Sequence, residues 1–186
     1  MSNRSVRASS GTALAPTAAH AAPATRTASL GPFQIAAVNS GKCADVNGDP
    51  LLPGNDGDNV AQWTCGGITR SNQVWYLTDA GDGSYYITAA HSGKCLDVAG
   101  GTEATENGAN VAQWTCLGFN QTNQRWRIEN RAWQKNRSTF TLVAVHSGKC
   151  LDVEGGIWST RNKANIHQWE CLGFNQTNQR WYLISL

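Results

Sequence analysis

Short runs in which apolar and polar residues alternate recur from residue 32 onward, separated by clusters of Gly, Asn, Asp and Ser. In the middle of the chain they predict strands at 85–90, 94–98, 111–116 and 124–128, because a period of two sends successive side chains to opposite faces of a pleated strand. The clusters between them are turn formers. No segment carries a helical period of useful length.

The pattern is written three times. The first unit runs from "FQIAAVNSGKCADV" through "NVAQWTC" to "NQVWYLT", the second from "YYITAAHSGKCLDV" through "NVAQWTC" to "NQRWRIE", and the third from "FTLVAVHSGKCLDV" through "NIHQWEC" to "NQRWYLI". The units fall near 32–80, 81–135 and 136–186 and each repeats the same four strands, which predicts an all-β domain with twelve. A closed, pseudo-threefold arrangement suits such units, because closure removes exposed sheet edges and lets three small sheets share one core. An open solenoid is the rival, but it needs atypical capping units and these three look alike.

Alternation also assigns faces. In "QRWRIE" we expect Arg125 and Arg127 to face water, so that Trp126 points to the core, with Trp75 and Trp181 as its equivalents. In "NIHQWEC" the same rule puts His167 and Trp169 on one face and Ile166 and Gln168 on the other. Trp169 is thus expected to be a surface aromatic beside a polar group, and Trp63 and Trp114 are its counterparts.

The six cysteines, at 43, 65, 95, 116, 150 and 171, form three pairs separated by about the same interval and predict the disulfides Cys43–Cys65, Cys95–Cys116 and Cys150–Cys171. Zinc is disfavoured, since no C-x-x-C and no repeated histidine accompanies them, and no metal or other cofactor is expected. Disulfides point to an exported protein. Residues 1–31, with two early arginines followed by an Ala/Pro/Thr/Ser stretch and A-x-A spacing around Ala19 to Ala22, read as a signal-like or disordered N-terminal segment. The net charge of +2 over 186 residues excludes a strong nucleic-acid field, and no apolar run is long enough to span a bilayer.

Only one carboxylate recurs in every unit, as Asp45, Asp97 and Asp152. Glycoside hydrolysis needs two opposed carboxyl groups and nucleophilic hydrolysis needs a nucleophile with a base, and neither set repeats. His91 and His146 stand where the first unit has Asn39, so no histidine base is required. The set that does repeat is the aspartate, the tryptophan at 63, 114 and 169, and an Asn-Gln pair at Asn72–Gln73, Asn123–Gln124 and Asn178–Gln179. A pyranose offers hydroxyls to a carboxylate and an amide and a patch of C–H groups to an aromatic face, with the glutamine supporting the aspartate from behind. Covering about 100 Å² of apolar surface is worth about 2–3 kcal/mol, so each site alone binds near the millimolar end of the scale and three copies offset that weakness on a polymer.

The Cys-x-Asp-Val block, the Gln-Trp-x-Cys strand and the Asn-Gln-x-Trp signature in three tandem units resemble the ricin-type β-trefoil lectins, also called family 13 carbohydrate-binding modules. The resemblance covers residues 32–186. It implies a β-trefoil with one shallow sugar pocket per unit, often for galactose-type or xylan-type sugars. Carried over by motif, the polar anchor falls on Asp45, Asp97 and Asp152, the stacking aromatic on Trp63, Trp114 and Trp169, and the hydrogen-bonding groups on the three Asn-Gln pairs. Many members place a sugar-contacting glutamine four residues before the second cysteine of each unit. Here that position holds Ala61, Ala112 and His167, with Gln62, Gln113 and Gln168 one place later, which makes the third pocket chemically distinct and adds His167 to its candidates. The first unit carries the longer, proline-bearing "NGDPLLPGNDGDN", which alters its rim.

These readings lead to a secreted, monomeric, non-catalytic protein whose partner is a polysaccharide or glycan, with no nucleic-acid partner and no room for a catalytic domain. The alternatives are a carbohydrate-binding part of, or accessory to, a secreted glycoside hydrolase, and a β-trefoil protein-interaction or inhibitor module.

Overall fold

A computed structural model describes residues 29–186; the signal-like reading of the N-terminal segment concerns residues that lie almost wholly outside that range. Twelve strands follow one another: β1 Ser29–Ala37, β2 Cys43–Val46, β3 Val60–Trp63, β4 Trp75–Asp79, β5 Tyr85–Ala89, β6 Cys95–Val98, β7 Val111–Trp114, β8 Arg125–Gln134, β9 Arg137–Ala144, β10 Cys150–Val153, β11 Ala164–Trp169 and β12 Trp181–Ser185. β1 starts at Ser29, ahead of the expected boundary at residue 32, because Ser29 and Leu30 pair with Thr78 and Leu77 of β4. The only helical turns among the described residues are short 3-10 segments.

Strand pairing closes on itself. β1 pairs β4, β4 pairs β5, β5 pairs β8, β8 pairs β9, β9 pairs β12, and β12 returns to β1, all antiparallel. This six-stranded barrel leaves none of its strands with an open edge. The other six strands form three hairpins, β2–β3, β6–β7 and β10–β11, in one shared register. Together these elements make a β-trefoil.

The core is built from equivalent residues. Trp75, Trp126 and Trp181 are fully buried, with Ile35, Leu77, Ile87 and Leu142 among them and Val46, Val98 and Val153 contributed by the hairpins. Each of these indoles donates its N–H to a hairpin carbonyl, of Ala44, Leu96 and Leu151 at 3.0, 2.9 and 2.9 Å. The polar edge of a buried tryptophan is thereby satisfied, and each barrel strand is tied to its own hairpin.

The units interlock through their loops. Gln62, Gln113 and Gln168 are fully buried. Each accepts a bond from a turn serine of its own unit, Ser40, Ser92 or Ser147, at 2.7 Å. Their amide groups donate across the unit boundary: Gln62 to the carbonyls of Ser159 and Arg161, Gln113 to those of Pro53 and Asn55, Gln168 to those of Ala104 and Glu106. Each unit's long loop is therefore held by the next unit's hairpin, and the third loop returns to the first hairpin. On the pseudo-threefold axis Asn110 donates to Asn59, Asn59 to Asn165 and Asn165 to Asn110, at 2.8, 2.9 and 3.1 Å, a closed ring of amides.

One expectation fails. Arg127 is exposed, but Arg125 is buried: its guanidinium ion-pairs with Asp82 at 2.7 Å and lies 3.9 Å over the Phe119 ring. Alternation correctly sends it out of the barrel, yet the β4–β5 turn and the Phe119 loop cover that outer face. Arg180, its equivalent in the third unit, is buried in the same way against Thr139 and the Asn130 carbonyl.

Candidate functional site

The three disulfides Cys43–Cys65, Cys95–Cys116 and Cys150–Cys171 are present, and among the described residues no cysteine is free. Each joins the start of one hairpin strand to the residue two beyond its tryptophan, so the strand bearing the aspartate and the strand bearing the tryptophan are stapled together. The preceding Ser-Gly turn is built for this approach. Gly41, Gly93 and Gly148 take φ of 69°, 67° and 67°, a left-handed conformation that favours glycine, and Ser40, Ser92 and Ser147 accept the backbone N–H two residues on.

Within each hairpin the register decides what meets what. Cys43, Cys95 and Cys150 stand opposite Trp63, Trp114 and Trp169, and Asp45, Asp97 and Asp152 stand opposite Ala61, Ala112 and His167. Because the valine after each aspartate goes to the core, the aspartate and tryptophan share the outer face of the hairpin. The result is three shallow cavities of about 410, 320 and 350 Å³. Asp45, Trp63 and Asn72 line the first; Asp97, Trp114 and Asn123 the second; Asp152, His167, Trp169 and Asn178 the third.

The carboxylates are held from below. Gln73 donates to Asp45 at 2.8 Å, while Asn123 and Gln124 donate to Asp97 at 2.9 and 2.8 Å. In the third unit Asn178 donates to Asp152 at 2.8 Å, and His167 Nε2 supplies the second bond at 3.0 Å. Gln179 departs from the expected support of the aspartate: like Gln73 and Gln124 it donates to a backbone carbonyl, of Glu170, and accepts from a backbone N–H, of Leu172, but it makes no bond to Asp152. All three glutamines are fully buried and line no cavity, so they brace the pockets without forming their walls. Burial pushes the Asp97 carboxyl up to about 6, against the lowering effect of its Gln124 and Asn123 bonds. Asp45 is raised by the same cause, partly offset by Gln73 and by the positive charge of Arg70.

Structure adds residues that the motifs did not single out. Arg70 and Lys163 line the first pocket, Leu117 and Gln121 the second, Glu154, Leu172 and Gln176 the third. Alignment of "CGGITRSNQ" with "CLGFNQTNQ" was the available signal for Arg70. Lys163 reaches its pocket from a different unit, which no motif indicates. Among the described residues no group of three or more His, Cys, Asp or Glu is placed to hold a metal ion. His146 bonds the Ala104 carbonyl and Asn39 the Ser159 carbonyl, which makes these two residues loop anchors.

A disulfide-stapled β-trefoil with a carboxylate, an indole and an amide at each threefold position is the architecture of a lectin domain. Family models described as the ricin-type β-trefoil lectin domain and its like match residues 83–185 and 21–114, and the chain belongs to this family. It is 28% identical over 123 residues to an agglutinin of Ricinus communis, covering 64% of this chain and 20% of that protein, so it spans about a fifth of that relative. Among solved structures, the designed threefold-symmetric protein ThreeFoil is 40% identical with a TM-score of 0.69, covering 83% of this chain and 98% of its own. An exo-β-1,3-galactanase from Clostridium thermocellum is 32% identical with a TM-score of 0.68, over 88% of this chain and 31% of the enzyme.

Proposed function

We propose that the protein binds carbohydrate without altering it, through three shallow pockets in which the aspartate and asparagine take sugar hydroxyls and the tryptophan covers a ring face. The observation that carries this is the recurrence of one carboxylate, one partly exposed indole and one amide, in the same register, in three separate cavities. Each carboxylate is already oriented by amide or imidazole donors, so little ordering cost remains when a hydroxyl arrives. Shallow pockets of this kind bind weakly one at a time, and a polymer engaging several at once is held by their combined occupancy.

The ligand class is a polysaccharide or glycan with galactose-type or xylan-type units, a reading supported by the likeness to part of a galactanase. That likeness also supports a second reading, in which the domain serves as an accessory to a secreted glycoside hydrolase. Three disulfides support an extracellular location, where such bonds persist. The third pocket alone is lined by two carboxylates, Asp152 and Glu154, so hydrolysis is tested beside binding. Galactan and xylan immobilised in affinity gels are expected to retard the protein, with no release of reducing sugar from either. Free migration on both polymers overturns the binding reading, and reducing-sugar release that disappears in Glu154→Gln overturns the non-catalytic one.

A further inference from the structure

The three pockets share a floor and differ at the rim. Leu117 and Leu172 line the second and third, but the first has Gly66 at that position; Gln121 and Gln176 correspond to Arg70. A side-chain carbon on Gly66 would collide with the methylenes of Arg70, so the arginine stem lies in the space that leucine fills elsewhere. From the neighbouring unit, Gly57 and Gly108 approach Trp114 and Trp169 with φ of 89° and 86°. The third member of that set is Lys163, held at φ 66°, a left-handed conformation uncommon for a residue with a side chain. Its ammonium sits 5.6 Å from the centre of the Trp63 ring.

Arg70 and Lys163 are both exposed, and among the described residues neither forms an ion pair. Asp45 is the one carboxylate lining their pocket. Two cations against one anion contrast with the second pocket, lined by Asp97 and no cation, and with the third, lined by Asp152, Glu154 and His167. Resting on the reading of these cavities as sugar sites, we propose that the first pocket selects a sugar ring carrying an anionic group, a uronate carboxylate or a sulfate ester. Arg70 and Lys163 meet that group, while Asp45 and Asn72 take its hydroxyls and Trp63 its face. The planar guanidinium suits a two-oxygen contact, and the ammonium adds a point charge. The second and third pockets take neutral units, so one molecule reads two kinds of residue on a mixed polymer.

The test is an NMR titration that follows the indole N–H signals of Trp63, Trp114 and Trp169 with galactose, galacturonic acid and galactose 6-sulfate. The Trp63 signal is expected to respond to one or both acidic sugars at about tenfold lower concentration than to galactose, and the two acidic arms decide between carboxylate and sulfate. Replacing Arg70→Gln and Lys163→Gly together, which installs the residues of the other units, should erase that preference and leave the responses of Trp114 and Trp169 unchanged. Gly66→Leu should reproduce the loss by displacing Arg70. If Trp114 and Trp169 respond to galactose while Trp63 shows no acidic preference, or the double variant keeps it, this inference fails and the sugar-site reading stands. If no indole responds to any of the three sugars, both fail.

Discussion

His167 Nε2 lies 3.0 Å from Asp152 Oδ1 across a register pair at which the other two hairpins place Ala61 and Ala112 opposite the aspartate. A carboxylate oxygen only accepts, so the imidazole donates from Nε2. The same ring stacks on Trp169, with centroids 5.4 Å apart and planes 25° apart. His167 therefore couples the polar and aromatic halves of the third pocket, which stand independent in the other two. Replacing it with alanine removes one hydrogen bond to a charged group, about 1.5–3 kcal/mol, and its stack. The expected outcome of His167→Ala is weaker sugar binding at Trp169 alone, measured from its indole signal, with Trp63 and Trp114 unaffected.

Asp97 gives the second pocket a pH dependence with opposite signs for stability and binding. Its folded-state pKa is raised from 3.8 to about 6, chiefly by burial. Between those values the folded chain keeps a proton that the unfolded chain has released, so this contribution is full below about 3.8 and lost as pH rises through about 6. A sugar hydroxyl donates to the ionised form, so binding at Trp114 should weaken as pH falls through about 6. Asp97→Asn is expected to raise Tm at neutral pH relative to wild type and to flatten the change in Tm across that window. A Tm difference independent of pH would contradict this assignment.

The two tryptophan series should separate cleanly on substitution. Trp126 is fully buried and its N–H is bonded, so Trp126→Ala is expected to cost about 3–5 kcal/mol in chemical denaturation. Trp114 is 40% exposed on the pocket rim. Trp114→Ala should leave stability within about 1 kcal/mol of wild type while removing binding at the second pocket.

Loop interlocking predicts a cost at a residue remote from any ligand. Gln113→Leu leaves the carbonyls of Pro53 and Asn55 without their donor and the Ser92 hydroxyl without its acceptor. Each lost hydrogen bond costs about 0.5–1.5 kcal/mol, and the loosened segment is the first unit's loop, not the second's. Faster amide exchange at Gly57, whose N–H bonds the Gln113 carbonyl, is the expected sign.

Repetition made much of the molecule readable before any coordinates. Comparing three copies separated the column Asp45, Asp97 and Asp152 from unrepeated acids, and alternation separated Trp126 from Trp114. It also placed Gln168 inward, an uncomfortable position for an amide until the carbonyls of Ala104 and Glu106 are seen to meet it. What stayed hidden arises between segments far apart in the chain. Burial of Arg125 depends on Asp82 some forty positions earlier, the amide ring needs one asparagine from each unit, and Lys163 serves a pocket whose other residues lie about a hundred positions earlier in the chain. Such contacts follow from closure of the trefoil, which strand periodicity implies in outline but does not register residue by residue.

The claim that three aspartates anchor three sugar pockets is tested most directly by titrating a galactan oligosaccharide into the wild type and into Asp45→Ala/Asp97→Ala/Asp152→Ala, with circular dichroism and a thiol count to confirm the fold and its three disulfides. Loss of binding in a variant that remains folded and fully oxidised is the predicted result. Unchanged affinity and stoichiometry in that variant would contradict the account.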